Sequence, residues 1–317
     1  MRLPAQLQGL DISPPLAQLA RVSSSCNICG HSALSRVGVI VTNPDIALDR
    51  CGRCKAASAY PLPKQAYLDY FYRYIYPDLI SEVAHQGYRM PKRHCDRFAK
   101  HIIQKMNLSF ASIRDGSVRV LDYGGGDGTL AKALAKKLIR FGAQSVSVVV
   151  LDKYIPAQKE YDGDVSIEYS NAFEKIPDQE YDVVLASAVL EHVVSPAETT
   201  KELLRSLREN GVFYARTPYV EPFIRLFNQK SPVWNFFYPA HLHDLGPEFW
   251  NYFLNNFHLE NEFQLLASQP SKTQVSVKDN PKINIVSNIL KLPRYLFGGR
   301  YPFVGGWEVF LSPKKGE

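Results

Sequence analysis

The chain lacks any apolar run approaching the roughly 18 residues needed to span a bilayer, so a transmembrane helix is not expected. Its opening stretch, MRLPAQLQGLDISPPLAQLARV, is broken by prolines and polar residues and has no apolar h-region. No signal peptide is therefore expected, and a cytoplasmic location follows. Charge of one sign is not strongly in excess: 37 Lys plus Arg stand against 31 Asp plus Glu, a net +6. That permits an anionic substrate but falls short of the dense basic patch of a dedicated nucleic-acid binder. Internal repeats and low-complexity tracts are missing. Cysteine is scarce at five residues, which in a reducing compartment should be free or metal-bound rather than paired. What remains is ordinary for a globular protein: 45% hydrophobic and 21% charged over 317 residues, enough for one α/β domain and a smaller attachment.

Four of the five cysteines form Cys26-Asn-Ile-Cys29 and Cys51-Gly-Arg-Cys54, two C-x2-C knuckles separated by 21 residues. Two such knuckles can converge on one tetrahedral zinc ion, with thiolates at about 2.3 Å and no open position, which makes the ion structural. Cys95 is left over and reads as an ordinary helix residue. Residues 23–62, with short β-rich runs such as Val37–Val41, are expected to form a compact metal-held module after a tail over 1–22. Residues 63–112 read as a helical linker or lid. Their tyrosines (Tyr67, Tyr70, Tyr72, Tyr74, Tyr76) either close over a ligand or form the packed face of a helix.

From Val118 the pattern alternates. Apolar strands are expected at Val118–Tyr123, Val146–Leu151, Val165–Tyr169, Tyr181–Ser187 and Val212–Arg216. Helices are expected at Thr129–Phe141 and from Pro196 to Leu207, the second closed by Asn210-Gly211. A later helix near Glu248–Asn255, a strand near Glu262–Ala267 and a last strand at Trp307–Leu311 complete the reading. The rhythm predicts a Rossmann-like α/β fold: a doubly wound, mostly parallel sheet of seven strands behind the zinc-ribbon-like module.

The segment Val120-Leu-Asp-Tyr-Gly-Gly-Gly-Asp-Gly-Thr-Leu130 sits directly after a strand and opens a helix. Its D-x-G-x-G-x-G pattern (Asp122, Gly124, Gly126, Gly128) differs from the dinucleotide G-x-G-x-x-G. An acidic residue before the first glycine suits a ligand with an amino group or sulfonium rather than a pyrophosphate. Asp152, ending the second strand, can accept both hydroxyls of a ribose. Asn171 and Ala172, after the third strand, are placed to hold an adenine edge. Glu191 and His192 follow the fourth.

VLDYGGGDGTL, VVVLDKY, YDVVLASAVLEHV and LRENGVFYARTP, in this order, resemble the motif series of class I S-adenosylmethionine (SAM)-dependent methyltransferases. The likeness runs from Val118 to Pro218 within a domain over 113–317. It implies that Asp122, Gly124, Gly126 and Gly128 hold the methionine end of SAM, Asp152 the ribose, Asn171 and Ala172 the adenine, while Glu191 lines the site. A zinc ribbon before such a core resembles methyltransferases of sugar, glycan and natural-product pathways, implying a small-molecule acceptor of the carbohydrate class and no nucleic acid. Sugar C-methyltransferases of that group carry a Tyr-x-Glu-His-like segment after the fifth strand. Within the aromatic-rich insertion over 219–247, the comparable text here is Phe237-Tyr-Pro-Ala-His-Leu-His243, which lacks the Glu. The expectation is therefore O- or N-methylation, with His241 as first candidate base and Tyr238 and His243 behind it. Two other readings stay open: an RNA or protein methyltransferase docking through the ribbon, and a non-catalytic SAM-binding scaffold. Basic residues in the last segment, including Lys272, Lys291 and Arg294, could meet substrate phosphates or form a solvated face.

Overall fold

The computed structural model describes residues 14–20, 24–77, 92–106, 116–173, 176–231, 236–272, 281–297 and 301–314. The cysteine-bearing part contributes β1 (Leu34–Val41), β2 (Ile46–Cys51) and β3 (Ala57–Tyr60), paired antiparallel in that order. Helix α1 (Gln65–Tyr70) continues as a π-helical turn over Phe71–Ile75, and α2 (Lys92–Met106) follows. Then come β4 (Ser117–Tyr123), α3 (Thr129–Arg140), β5 (Ser145–Leu151), β6 (Gln158–Asp162), β7 (Val165–Ser170), β8 (Tyr181–Ser187), α4 (Pro196–Arg205) and β9 (Leu207–Tyr219). The remainder is α5 (Glu221–Phe227), β10 (His243–Asp244), α6 (Pro247–Asn256), β11 (Phe263–Pro270), α7 (Pro281–Phe297) and β12 (Gly305–Pro313).

The large sheet has eight strands in the order β11-β12-β9-β8-β4-β5-β7-β6. Strands β9, β8, β4, β5 and β7 run parallel, whereas β12, β11 and β6 are antiparallel to their neighbours. The eighth strand, β6, reads Gln-Lys-Glu-Tyr-Asp and is mostly exposed, so no apolar alternation announced it. A charged edge of this kind also discourages pairing with other chains. Helix α4 stops at Arg205, not at Leu207. Asn210-Gly211 lies inside β9, where a register shift against β8 between Tyr181 and Val183 accommodates it.

Both faces of the sheet are covered, and side chains divide between them with the period of two that a strand imposes. Val118 and Val120, Val183 and Leu185, and Val212 and Tyr214 enter one apolar cluster with α2 and α3. Leu121, Val184, Ala186, Phe213 and Ala215 enter the other, with α4 and α6. Helix α3 sends Ala131, Leu134, Ala135 and Leu138 inward. Its two buried leucines, Leu134 and Leu138, are each worth about 2 kcal/mol of burial.

The second cluster also contains Cys26, Cys51 and Cys54 beside Phe249, Trp250 and Phe253 of α6. The cysteine-bearing part is therefore packed into the main body. It is also stitched there. Strand β10 adds to its sheet by pairing with β3, His243 opposite Ser58 and Asp244 opposite Ala57. Arg50 pairs with Glu248. From the N-terminal tail, Leu19 is buried and Ala20 N–H donates to the Leu62 carbonyl at 2.8 Å. Among the described residues no helix is long and apolar enough to cross a membrane.

Candidate active site

The chain first winds from β4 to β5 and β7 and then returns to the other side at β8, so the sheet's switch point lies between β4 and β8. In open α/β sheets, ligands bind outside the carboxyl ends of the strands at that point. The segments singled out in the sequence all lie at those ends: Asp122 near the end of β4 and Gly124–Gly128 after it, Asp152 after β5, Asn171-Ala172 after β7 and Glu191-His192 after β8.

Two glycines show what the first turn requires. Gly124 has φ +65°, and a Cβ there would fall 2.2 Å from Val189 Cγ2. Gly126 has φ +55°, but its Cβ position meets nothing within 4 Å. The first packs backbone against the β8 loop; the second leaves open space in front of the turn. Asp122 is buried with its Oδ2 lacking a hydrogen-bond partner. Burial, then the neighbouring Asp152 and Asp127 carboxylates, push its carboxyl up to about 7. Asp152 accepts Gly126 N–H at Oδ2 (3.0 Å) and Tyr154 N–H at Oδ1 (3.0 Å), so it already pins the turn. Asn171 and Ala172 are exposed beside it, because Leu151 pairs with Ser170 and Ser170 accepts Asp152 N–H at 2.9 Å.

Glu191, His192 and one predicted base, His241, form a compact group whose donor atoms all lie within 4.8 Å of one another. The segment bearing His241 is fixed on the backbone of Glu191, whose carbonyl accepts Leu242 N–H at 2.7 Å. Glu191 is almost wholly buried, which pushes its carboxyl up to about 7, and its Oε2 has no hydrogen-bond partner. Burial holds His192 down at about 4, with the Ala240 and Ala188 carbonyls working the other way. The 3.8 Å contact between Glu191 Oε1 and His192 Nε2 is therefore not an ion pair between those values. Burial and the adjacent His192 hold His241 well below the usual imidazole range. Two non-glycine residues with left-handed backbone, Ala188 (φ 59°) and Phe237 (φ 59°), flank this group. Such strain recurs at functional sites.

The other two predicted candidates lie elsewhere. Tyr238 is buried in the apolar cluster of the small sheet, its hydroxyl 3.4 Å from the Pro61 carbonyl. His243 is fully buried in β10, its Nδ1 2.8 Å from Ser58 Oγ. Neither belongs to the Glu191 group or lines the cavity described below. Both connect the insertion to the cysteine-bearing sheet.

The tyrosines divide. Tyr67 is buried, and Tyr70 and Tyr74 are exposed. Tyr72 and Tyr76 lie over the strand ends: Tyr72 stacks on Tyr154 (5.7 Å, 26°), and both approach the His192 ring. Lys153 holds this helix through Asp69 at 2.6 Å. Tyr72 was not distinguishable from its neighbours in the sequence. Its partner lies 120 residues away, where the Tyr72 hydroxyl sits 2.9 Å from His192 Nδ1 and donates to the Ala240 carbonyl at 3.0 Å.

A cavity of about 760 Å³ adjoins the turn, lined by Asp122, Gly124, Gly125, Ser187 and Arg216 among others. Among the described residues it does not reach Asp152, Asn171 or Glu191. Arg216 was likewise unforeseen; it lies over the Phe98 ring at 5.2 Å. Of the basic residues near the C-terminus, Lys291 is buried with Nζ on the Ser271 carbonyl, while Lys278, Arg300 and Lys315 lie outside the described residues.

The four knuckle sulfurs converge. Cys26 and Cys54 are 3.7 Å apart, Cys29 and Cys51 are 3.6 Å apart, and all four lie within 4.8 Å of one another. Corners of a tetrahedron with arms of about 2.3 Å are separated by about 3.8 Å. Each knuckle also turns a backbone N–H onto its first sulfur, Ile28 N on Cys26 (3.4 Å) and Arg53 N on Cys51 (3.3 Å). This arrangement suits thiolates around zinc. Cys95 is buried in α2, and burial pushes its thiol up to about 11.

A doubly wound sheet carrying an acidic, glycine-rich turn at its switch point is the scaffold of a class I methyltransferase. Residues 83–265, more than half of the chain, match the model of the methyltransferase domain family, and the chain belongs to that family of SAM-dependent enzymes. No curated protein sequence matches it. Solved structures similar to it include plantazolicin methyltransferase BpumL in complex with S-adenosylhomocysteine (SAH), at 14% identity over 76% of this chain and 91% of that one, TM-score 0.44. Coclaurine N-methyltransferase bound to N-methylheliamine and SAH is 16% identical over 66% of this chain and 72% of that one, TM-score 0.41. The [4+2]-cyclase SpnF is 16% identical over 70% and 81% respectively, TM-score 0.41.

Proposed function

We propose that this methyltransferase acts on a hydroxyl or amine nitrogen of a small polar acceptor: a sugar, a sugar nucleotide or the end of a glycan. SAM supplies a methyl group on a sulfonium, an excellent leaving group. Asp122 and the turn through Gly124, Gly126 and Gly128 hold its methionine end, Asp152 its ribose, and Asn171 with Ala172 its adenine. The four cysteines hold a structural zinc.

The supporting observation is the convergence of Glu191 and His241 on the same sheet edge as the glycine turn. Most of the catalysis then comes from holding donor and nucleophile in line. A hydroxyl also has a proton to lose, and a base is most effective when poised near the working pH. Glu191, near 7, meets that condition better than His241, which burial keeps well below its ordinary range. Tyr238 and His243 act as positioning residues for the segment that carries His241.

Two measurements test this. Calorimetric titration with SAM and SAH should show saturable binding. SAH release should then follow with members of a panel of free and nucleotide-linked sugars. Release only with RNA or with protein substrates overturns the acceptor assignment, and no SAM binding overturns the cofactor site.

A further inference from the structure

We propose that Glu191, His192 and His241 form a second metal site, distinct from the cysteine cluster, which takes a first-row divalent cation and binds the acceptor's hydroxyl. This rests on the methyltransferase reading and specifies its acceptor as an oxygen nucleophile able to ligate a metal.

Three observations carry it. First, two imidazoles and a carboxylate offer donor atoms within 4.8 Å of one another, with Glu191 Oε1 3.8 Å from His192 Nε2. Donors bound to one ion at about 2.1 Å stand about 3–3.5 Å apart, so closing on an ion takes roughly an ångström of movement. Second, Glu191 is 1% exposed and its Oε2 lacks a hydrogen-bond partner, a desolvated carboxyl oxygen with an open acceptor position. Third, His192 is already oriented as a ligand. Its Nδ1 lies 2.9 Å from the Ala240 carbonyl and 2.9 Å from the Tyr72 hydroxyl, which itself donates to Ala240. In the Nδ1–H tautomer this nitrogen can donate to either oxygen, and Nε2, 3.8 Å from Glu191 Oε1, then carries the lone pair. A ligand histidine held by its other nitrogen is the usual support of a metal centre.

Three protein donors leave coordination positions for an acceptor oxygen. Two imidazoles favour Mn²⁺, Fe²⁺, Co²⁺, Ni²⁺ or Zn²⁺ over Mg²⁺. In the step, the ligated hydroxyl releases its proton to solvent, the O–CH3 bond forms and the S–CH3 bond breaks, its electron pair staying on sulfur. Neither Glu191 nor His241 can serve at once as ligand and base, so this proposal replaces the base role at both residues.

Mn²⁺ is the probe, because it competes poorly for a thiolate site. The full chain, zinc-loaded at the cysteines, is titrated with Mn²⁺ by electron paramagnetic resonance, and SAM affinity is measured in parallel. One equivalent should bind. His192→Asn and His241→Ala should each weaken it by about 10-fold or more, and Tyr72→Phe less, while SAM affinity and circular dichroism hold. No saturable binding up to about 1 mM, or binding unchanged in both histidine variants, overturns the metal site while leaving the cofactor reading intact. Loss of SAM binding in the unaltered protein would instead sink the methyltransferase reading itself.

Discussion

Replacing Gly126 by alanine separates the two demands on the glycine turn. Nothing lies within 4 Å of the position its Cβ would take, so no protein atom resists the substitution. The folding cost is confined to left-handed backbone at φ +55°, about 1–2 kcal/mol. For a body of this size that lowers the melting temperature by about 2–8 °C. The new methyl group occupies the space into which the donor's amino-acid end would fit. SAM and SAH affinity should fall by about 10- to 100-fold, or roughly 1.4–2.8 kcal/mol. Gly124→Ala provides the contrast. Its Cβ would lie 2.2 Å from Val189, so overpacking of about 1–3 kcal/mol adds to the strain and stability falls further. Thermal unfolding and calorimetric titration of both variants measure the two effects. A folded Gly126→Ala protein that binds SAH as tightly as the parent would refute the idea that this side of the turn faces the donor.

Asp152→Asn should weaken SAM by about 10-fold or more and loosen the turn, because the carboxylate that would take the ribose also accepts Gly126 N–H; protease sensitivity of the turn reports the second effect. Asp122 provides a pH test. Burial raises its carboxyl to about 7 in the free protein, and an ammonium group beside it would favour the charged form and lower that value. SAM affinity should therefore rise as pH increases through about 7, with proton release visible in buffers of different ionisation enthalpy, and Asp122→Asn should abolish both. Cys29→Ser should reduce bound zinc below one equivalent by elemental analysis and lower the melting temperature. Glu308→Ala should destabilise by about 2–4 kcal/mol in urea unfolding, since this buried carboxylate accepts from His101 and Gln269 at 2.7 Å each and the variant leaves them unpartnered.

Local signals revealed much of the fold. Strands β4, β5 and β8 are apolar runs bounded by turn residues, and the glycine turn is legible because its spacing is set by backbone geometry over seven positions. Elements held by distant partners left no such trace. Strand β10 is two residues long and exists only because His243 and Asp244 meet Ser58 and Ala57. Strand β6 is charged on both faces and gains its form from β7 alone. Asn210-Gly211 has the composition of a helix stop, yet a register shift in β9 absorbs it. In the site, the positions of Asp122 and Asp152 at the carboxyl ends of β4 and β5 could be read from the strand pattern. The meeting of His241 with Glu191, and of Tyr72 with His192, depends on how a loop and a helix from opposite ends of the sequence come to rest on one sheet edge.

The two-residue strand couples the four-cysteine cluster to the far side of the molecule. It fastens the insertion that carries His241 to the cysteine-bearing sheet on one side, while the Glu191 backbone anchors it on the other. On the proposed zinc and acceptor assignments, stripping the ion should disturb the position of His241 more than the glycine turn, so activity should fall before SAM affinity does.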